Sequence, residues 1–431
     1  MSLGFEQAGF DVVAAVEIDP IHCATHEFNF PKTSVIPRSV IGLSGAEIRL
    51  RAGIGNRDID CVFGGAPCQG FSLIGHRVLD DPRNSLVREF VRIASELNAK
   101  AFVFENVKGL TLGRHQEFLS ELVIALEAAG YSVRLPWKVL NSANYEVPQN
   151  RERLFLMGAR DGLKLPNYPK ALSAPANRLK AHDGAAACPT VAQAIGDLPD
   201  ADGFPELFSR DSVRTNKFGR PSDFVAELRC ISENSWHYSY MREWRSDILT
   251  SSARTEHTDI SKRRFSETPQ GKAEPISRFY RLSGDGVCNT LRAGTDGSRG
   301  AFTSPRPIHY KFARCITVRE MARLHGFPDW FRFNVTKWHG ARQIGNSVPP
   351  PLARAVAGQI LDALAIERVR PIEVLRLGDE RLLHFDLSQA STHFGIQAPK
   401  QRRDKKSGSV KRKQADIERE RIALERTAVY G

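Results

Sequence analysis

Three short fragments carry residues whose types could do chemistry together. The fragment GGAPCQGFS contains Cys68, FENV contains Glu105, and QNRERL contains Arg151 and Arg153. A cysteine thiolate is a nucleophile, a glutamic acid can transfer a proton, and a guanidinium can bind a polar substrate atom. Each residue also has an ordinary structural interpretation, as a buried thiol, a solvated carboxylate or a polar strand face. The three fragments together, in this order, indicate a site for covalent thiol chemistry.

Alternating strand-like and helix-like segments must position these fragments. Apolar runs closed by turn residues predict strands, and apolar residues at helical spacing predict helices. Their order predicts an α/β fold with a doubly wound, mostly parallel sheet, in which the carboxyl ends of several strands meet over one crevice. The predicted strands are 11–19, 58–63, 101–107 and 151–160, and the predicted helices are 84–100, capped by Asn84, and 116–130, stopped by Gly130.

The second half of the chain differs from the first in composition and in hydrophobic pattern. It is rich in Pro, Gly, Ser and Arg with little periodicity, which predicts a smaller, irregular domain. Helical patterns return at 317–327, where Thr317 and Glu320 form a capping-box pattern, and at 349–369, entered through prolines. We expect three parts, bounded as follows: a first domain of residues 1–190 plus 338–365, a second domain of residues 191–337, and a basic, partly disordered C-terminal extension of residues 366–431.

Positive charge is concentrated in two segments. The net charge is +12, and residues 251–314 and 400–431 each carry a net charge of +6. Localised positive charge favours a nucleic-acid partner, and the alternative is a solvated basic surface with a charged tail.

Cysteine usage and hydropathy exclude several classes of protein. The seven cysteines form no CxxC pair, which argues against a disulfide framework and against a zinc site. An apolar run of membrane-spanning length is missing from the sequence, and the first residues do not form a signal-peptide pattern. We therefore expect a cytoplasmic protein without a metal.

The chemical fragments belong to a longer series of motifs. The series is GFEQAGFDVVAAVEID, GGAPCQGFS, DPRNSL, FVFENVKGL, NYEVPQNRERLFLMG, ITVREMARLHGFPDWF and RQIGNSVPP, and it extends over nearly residues 1–360. In these motifs the chain resembles the cytosine-C5 DNA methyltransferase family, of the bacterial restriction–modification type. The resemblance implies a Rossmann-like, S-adenosylmethionine-dependent fold with 191–337 as target-recognition domain. It also implies methyl transfer to C5 of a flipped cytosine at a specific DNA site.

The resemblance assigns roles to individual residues. Cys68 matches the nucleophile that adds to C6 of cytosine, Glu105 matches the acid at N3, and Arg153 matches the residue that binds O2, with Arg151 beside it. The cofactor S-adenosyl-L-methionine is expected against Glu17, Ile18, Ser39, Leu86, Asn346 and Val348. Double-stranded DNA is expected against Gln69, Ser72, Arg263, Arg264 and Arg292.

The resemblance also implies partners. We expect a monomer that acts on DNA of the bacterial nucleoid, with a cognate restriction endonuclease that acts separately.

Two features depart from the family pattern. The family opens with a strand and an F-x-G-x-G-G loop, whereas this sequence starts at MSLGFEQAGF, which matches the residues after that loop. We therefore expect a natural protein that is longer at its N-terminus. Many members also place an aspartate near the adenine amino group, where this chain has Ser39.

Three alternatives stay open at this point. One is a catalytically impaired DNA-binding remnant, and another is a tRNA cytosine-C5 methyltransferase. The third is an unrelated α/β thiol enzyme, for which His76 is the nearby candidate base.

Overall fold

We analysed a computed structural model of the chain. It describes residues 1–66, 85–113, 115–181, 184–295, 304 and 306–398, without the side chains of 115 and 179–181. The sequence-based predictions for Cys68, Gln69, Ser72, His76 and Asn84 therefore lie outside the described residues.

Helices and strands alternate in the first third of the chain, and the strands after residue 160 are short. The helices are α1 (Ser2–Ala8), α2 (Pro20–Asn29), α3 (Gly45–Arg51), α4 (Ser85–Glu96), α5 (His115–Ala128), α6 (Val191–Ile195), α7 (Asp223–Leu228), α8 (Asp259–Glu267), α9 (Val318–Leu324), α10 (Lys337–Asn346), α11 (Pro350–Leu364) and α12 (Leu387–His393). The strands are β1 (Ala14–Val16), β2 (Ser34–Ile36), β3 (Cys61–Gly64), β4 (Ala101–Val107), β5 (Tyr131–Val133), β6 (Lys138–Asn141), β7 (Gln149–Asn150), β8 (Glu152–Arg160), β9 (Ser173–Ala174), β10 (Ala186–Ala187), β11 (Val213–Arg214), β12 (Met241–Glu243), β13 (Ile248–Leu249), β14 (Cys288–Asn289) and β15 (Val374–Arg376).

The main sheet has the strand order β3-β4-β8-β5, and β6 also pairs with β8. Strands β3 and β4 are parallel, whereas β8 runs antiparallel to β4, β5 and β6. Strands β1 and β2 form a separate parallel pair, and within the described residues neither pairs with β3. The predicted α/β class is confirmed, and the predicted strand at 101–107 has the same bounds as β4.

Strand β4 is buried because helices cover both faces of the sheet. Phe102 and Phe104 pack among residues of α4 and α5 on one face. Ala101 and Val103 pack against α1 and α11 on the other face. Helices α1 and α11 approach closely because residue 4 is glycine, where an added Cβ would lie 2.5 Å from the Pro350 carbonyl oxygen. The apolar strand thus carries its polar end, from Glu105 onward, to one edge of the sheet.

A second core joins the later elements to the first ones. Its buried side chains come from α6, α9 and α10, from the segment around β14, and from Leu3 and Phe30 near the N-terminus. Helix α9 begins at the predicted Thr317 cap, and the reciprocal bonds with Glu320 are both present. Beyond α11, β15 pairs in parallel with β12, and α12 packs against α2.

Of the helices in the described part of the chain, none combines the length and apolar character of a membrane span.

Candidate active site

Glu105 and Arg153 form an ion pair across two neighbouring strands. The antiparallel register of β4 and β8 places Val107 opposite Arg153. The Arg153 Nε lies 3.0 Å from the Glu105 Oε1, and only 14% and 13% of the two side chains are exposed. Burial raises the pKa of Glu105 above its ordinary value, although the charges of Arg153 and Arg151 oppose that rise. The Glu105 carboxyl therefore keeps its proton to a higher pH than a solvated glutamate does, which suits a general acid.

The backbone that follows β3 passes directly beside this carboxyl group. A Cβ added at Gly65 would lie 2.7 Å from the Glu105 Oε2, so a larger residue at this position would push the carboxyl group out of its place. The Asn106 Nδ2 donates to the Ala66 carbonyl oxygen at 2.8 Å and fixes the last described residue before the gap. The chain thus leaves the sheet at the Glu105 carboxyl, two positions before Cys68.

Arg151 lies in a different environment from Arg153. It is 1% exposed, its Nη1 donates to the Leu291 carbonyl at 3.0 Å, and its Nη2 donates to the Gly345 and Ser347 carbonyls at 2.7 and 2.9 Å. Burial, together with the charge of Arg153, lowers the pKa of Arg151 to about 9. The sequence analysis placed Arg151 beside Arg153 at one site. In the structure Arg153 forms the ion pair with Glu105, and Arg151 donates its hydrogen bonds elsewhere. Arg151 thus connects its own strand segment with the backbone at Leu291 and with the end of α10.

Gln149 and His325 complete this set of buried hydrogen bonds, and the sequence analysis missed both residues. The Gln149 Oε1 accepts from the Leu291 N–H at 3.0 Å, and its Nε2 lies 2.9 Å from the His325 Nδ1. Burial, followed by the charge of Arg151, lowers the pKa of His325 well below 6.5, so the ring is neutral. The His325 Nε2 is 3.1 Å from the Ser347 carbonyl and must donate there, so its Nδ1 accepts from Gln149.

We name Gln149, Arg151 and His325 the buried junction. Parallel pairing of β14 with β7 extends it, because the Cys288 N–H donates to the Pro148 carbonyl at 2.8 Å. Of these three residues the sequence analysis singled out only Arg151. Gln149 lies two residues before it in QNRERL, and His325 lies within ITVREMARLHGFPDWF.

A cavity of about 290 Å³ lies between the first helices and α10. Three of the residues predicted to contact the cofactor, Glu17, Asn346 and Val348, line it. The sequence analysis missed several other lining residues, which are His22, Thr25, His26, Phe30, Phe331, Phe333 and Gln343.

The polar groups of the cavity wall fit a polar organic ligand. The Glu17 carboxylate accepts the Asp19 N–H through Oε1, and 41% of the side chain is exposed, which leaves oxygen acceptors for ribose hydroxyls. The buried His26 Nε2 has no hydrogen-bond partner in the described structure, and burial lowers the pKa of His26 to about 4. A neutral ring with an unpaired nitrogen can bond a ligand.

The remaining predicted cofactor residues lie outside the described lining of the cavity. Ile18 directly follows Glu17 and is 61% exposed, as an apolar surface for an adenine ring would be. The Ser39 Oγ accepts from the Ile41 N–H at 3.1 Å, beyond the end of β2. Leu86 is half-buried in the first turn of α4. The cofactor roles of these three residues stay predictions.

The three described arginines predicted to contact DNA have different surroundings. Arg263 and Arg292 are exposed. Arg264 is half-buried, and its Nε lies 3.6 Å from the Oε1 of Glu274, which is buried. Arg292 directly follows Leu291, the residue that the buried junction holds. The backbone at Arg292 and Ala293 passes close to α10 at Gly345. Glycine is required there, because an added Cβ would lie 2.3 Å from the Ala293 nitrogen.

Known proteins share this arrangement of elements and motifs. A family model described as C-5 cytosine-specific DNA methylase matches residues 1–362. The type II methyltransferase M.XorII of Xanthomonas oryzae pv. oryzae is 55% identical over 396 residues, which are 92% of this chain and 90% of that protein. The type II methyltransferase M1.HphI of Haemophilus parahaemolyticus is 33% identical over 366 residues, 84% of this chain and 83% of that protein.

A solved structure agrees with these sequence matches. It is that of a DNA modification methyltransferase encoded within a prophage of E. coli, and it superimposes with a TM-score of 0.66 at 31% identity, covering 84% of this chain and 96% of that one. Since the family model and the relatives span most of the chain, the protein belongs to the C-5 cytosine-specific DNA methylases, which transfer a methyl group from S-adenosylmethionine to C5 of cytosine in DNA.

Proposed function

We propose that this chain is the methyltransferase of a type II restriction–modification system and methylates one cytosine within a specific duplex sequence. The relatives named above, both type II methyltransferases, support this assignment. The observation that carries the proposal is the buried Glu105–Arg153 pair beside the backbone that leads to Cys68. In this position an acid and a cation can act on the same ring that a thiolate attacks.

The proposed reaction begins with nucleophilic addition. The Cys68 thiolate forms a bond to C6 of a flipped cytosine, and the displaced electron pair moves toward N3, where Glu105 supplies a proton. Arg153 donates hydrogen bonds to O2 and stays paired with the Glu105 carboxyl group. C5 becomes nucleophilic and takes the methyl group that S-adenosylmethionine supplies. A base then removes the C5 proton, the C5–C6 double bond forms again as the Cys68 thiolate leaves, and N3 returns its proton to the Glu105 carboxylate.

The cavity beside β1 is the proposed cofactor site. Glu17 would accept from both ribose hydroxyls, as acidic residues do in nucleotide-binding sheets, and Ile18 would cover one face of the adenine. Asn346 and Val348 would hold the cofactor from the side of α10. Ser39 and Leu86 are proposed at the outer edge of the site.

Residues 191–337 are the proposed target-recognition domain, with residues 1–190 plus 338–365 as the catalytic domain. Arg263 and Arg292 are exposed and are proposed to contact DNA, together with Gln69 and Ser72 from the segment after Cys68. The ion pair of Arg264 with Glu274 makes Arg264 a support for α8 in this proposal. The enzyme would act in the bacterial cytoplasm as a monomer, and a separate restriction endonuclease would cleave the unmodified site.

Methyl transfer to plasmid DNA tests this function. The purified chain is mixed with radiolabelled S-adenosylmethionine and unmethylated plasmid, and bisulfite sequencing maps the modified cytosines. We expect label at C5 within one short sequence motif, and no label with Cys68→Ser. Label on tRNA, and not on DNA, would contradict the proposal.

A further inference from the structure

The helix that walls the cofactor cavity has a second, unassigned neighbour on its other face. Helix α2 presents His22, Thr25 and His26 to the cavity. On its far side, Ala24 and Phe28 share a buried apolar cluster with Leu382 and Leu383. We name residues 374–398, which include β15, the short 3-10 helix Glu380–His384 and α12, the C-terminal strap.

Backbone hydrogen bonds fasten the strap at two points. The Gly378 N–H donates to the Phe28 carbonyl at 2.9 Å, at the end of α2, and the Val335 N–H donates to the Leu383 carbonyl at 3.1 Å. A Cβ added at Gly378 would lie 2.8 Å from the Phe28 Cα, so the strap and α2 are in direct backbone contact. Backbone bonds of this kind fix the position of the strap more tightly than apolar packing alone.

A chain of side-chain bonds extends this contact to the other side of the cavity. The Asn334 Nδ2 donates to the Phe385 carbonyl at 3.3 Å, and the Asn334 N–H donates to the Gln343 Oε1 at 3.0 Å. The Gln343 Nε2 then donates to the Thr25 Oγ1 at 2.9 Å. Gln343 and Thr25 both line the cavity. The strap is therefore connected to α2 directly and to α10 through one asparagine.

We propose that the C-terminal strap holds α2 and α10 at the separation that S-adenosylmethionine binding requires, and that Leu383 is the main positioning residue. The proposal rests on the cofactor site proposed above. The family model ends at residue 362, so the strap lies beyond the part of the chain that the model matches. Leu383 is fully buried and makes two kinds of contact. Its side chain packs in the cluster with Ala24 and Phe28 of α2, and its carbonyl accepts the Val335 N–H in the second backbone bond.

The test compares Leu383→Ala with Leu126→Ala in the full chain. Leu126 on α5 is equally buried but belongs to the cluster behind the main sheet. We expect Leu383→Ala to weaken S-adenosylmethionine binding about tenfold, measured by titration calorimetry without DNA, because coupling through packed side chains is typically of this size. The KM for the cofactor should rise by the same factor, while the KM for DNA and the kcat at saturating cofactor should stay near those of Leu126→Ala.

A second pair of variants keeps the test informative if Leu383→Ala folds poorly. Gly378→Ala pushes the strap away from Phe28, whereas Gly203→Ala adds the same methyl group where no atom lies within 4 Å. Faster hydrogen exchange of α2 and weaker cofactor binding are expected for Gly378→Ala only. Cofactor binding that is unchanged in both strap variants would overturn the positioning role. Failure of the unmodified chain to bind S-adenosylmethionine would instead refute the proposed cofactor site.

Discussion

At the scale of single residues, Glu105 combines burial with an arginine partner. Burial favours the neutral carboxyl group, and the Arg153 guanidinium favours the charged one. Because burial is the larger effect, the pKa of Glu105 is raised, and the side chain keeps a proton to donate at a higher pH than a solvated glutamate does. The close approach of Gly65 leaves no room for another side chain on that side of the carboxyl.

Glu105→Gln should slow the chemical step while leaving DNA affinity nearly unchanged. We expect a loss on the order of 10²-fold to 10⁴-fold in the single-turnover rate, which is the usual contribution of a general acid. The rate of the unmodified enzyme should fall as pH rises through the raised pKa of Glu105, because the acid is then deprotonated. The glutamine variant should lack that part of the pH profile. Equal pH profiles for the two proteins in rapid-quench experiments would contradict the acid role.

Substitution of Arg151 should mainly reduce the stability of the fold, whereas substitution of Arg153 should mainly reduce turnover. Arg151→Met removes three hydrogen bonds to backbone carbonyls, of which, within the described residues, only the Ser347 carbonyl keeps a second donor, His325. The substitution should lower the free energy of unfolding by about 3 kcal/mol. Arg153→Met should lower the free energy of unfolding less than Arg151→Met does, because the raised pKa lets Glu105 become neutral when its partner is lost. At a temperature where both variants are folded, Arg153→Met should have the lower turnover. Urea unfolding and methylation assays measure the two effects. A less stable Arg153→Met than Arg151→Met, or a lower turnover of Arg151→Met than of Arg153→Met, would contradict these roles.

Sequence motifs predicted single residues well where the local pattern carries the chemistry. Glu105 and Arg153 are predicted from FENV and QNRERL, and the structure brings them together. Gln149 and His325 are 176 positions apart, and no local pattern links them, because their contact exists only after the main sheet and α9 have packed.

At the scale of elements, local signals fixed the start of α9. The threonine and glutamate of TVRE form the capping box that the sequence predicts. The sequence could not show that Glu320 is buried and bonded to both Nη atoms of Arg314, at 2.9 and 2.8 Å. The predicted strand at 11–19 was too long, and β1 covers only Ala14–Val16. It has three paired residues because β2, its only partner in the described chain, is equally short.

Glu320→Gln should destabilise the fold in a pH-dependent way. Burial is the largest single influence and raises the pKa of Glu320. The charges of Arg314 and His309, with the hydrogen bonds from Arg314 and the Thr317 N–H, together outweigh burial and lower the pKa from 4.5 to about 2. A lowered carboxyl pKa stabilises the folded state above the unfolded pKa, and that contribution is lost as pH falls from about 4.5 toward 2. We expect Glu320→Gln to cost about 3 kcal/mol at neutral pH, as breaking a buried ion pair does.

Thermal unfolding at several pH values measures this difference. The gap in Tm between the unmodified protein and Glu320→Gln should narrow as the pH falls below 4.5. A gap that is constant across this range would show that the Glu320 charge does not stabilise α9.

At the scale of the whole molecule, the charge distribution and the C-terminal segment are the informative features. The excess positive charge of residues 251–314 falls on the part of the chain that contains α8 and the exposed Arg263 and Arg292. The fold of residues 374–393 was not predicted, because the segment is short, polar at many positions and lacks periodicity. Leu382 and Leu383 are buried in a cluster with Ala24 and Phe28 of α2, which is far away in the sequence.

Arg263→Ala should reduce the salt dependence of DNA binding. Losing one phosphate contact should lower the slope of log K against log salt by about 1. Arg57→Ala is the matched control, because Arg57 precedes β3 and lies at the opposite end of the strands from Glu105. Fluorescence anisotropy at several salt concentrations measures both slopes. Equal slopes for the two variants would place the DNA-binding surface elsewhere.

Capture of the covalent adduct tests the central claim most directly. Duplex DNA with 5-fluorocytosine at the target position is incubated with the enzyme and S-adenosylmethionine, and the bound peptide is identified by mass spectrometry. Fluorine at C5 cannot leave as a proton, so the thiolate cannot be expelled after methyl transfer. We predict a stable adduct on the peptide that contains Cys68, retained in the control variant Cys230→Ser and lost in Cys68→Ser. An adduct on another residue, or methylation of ordinary cytosine by Cys68→Ser, would contradict the account.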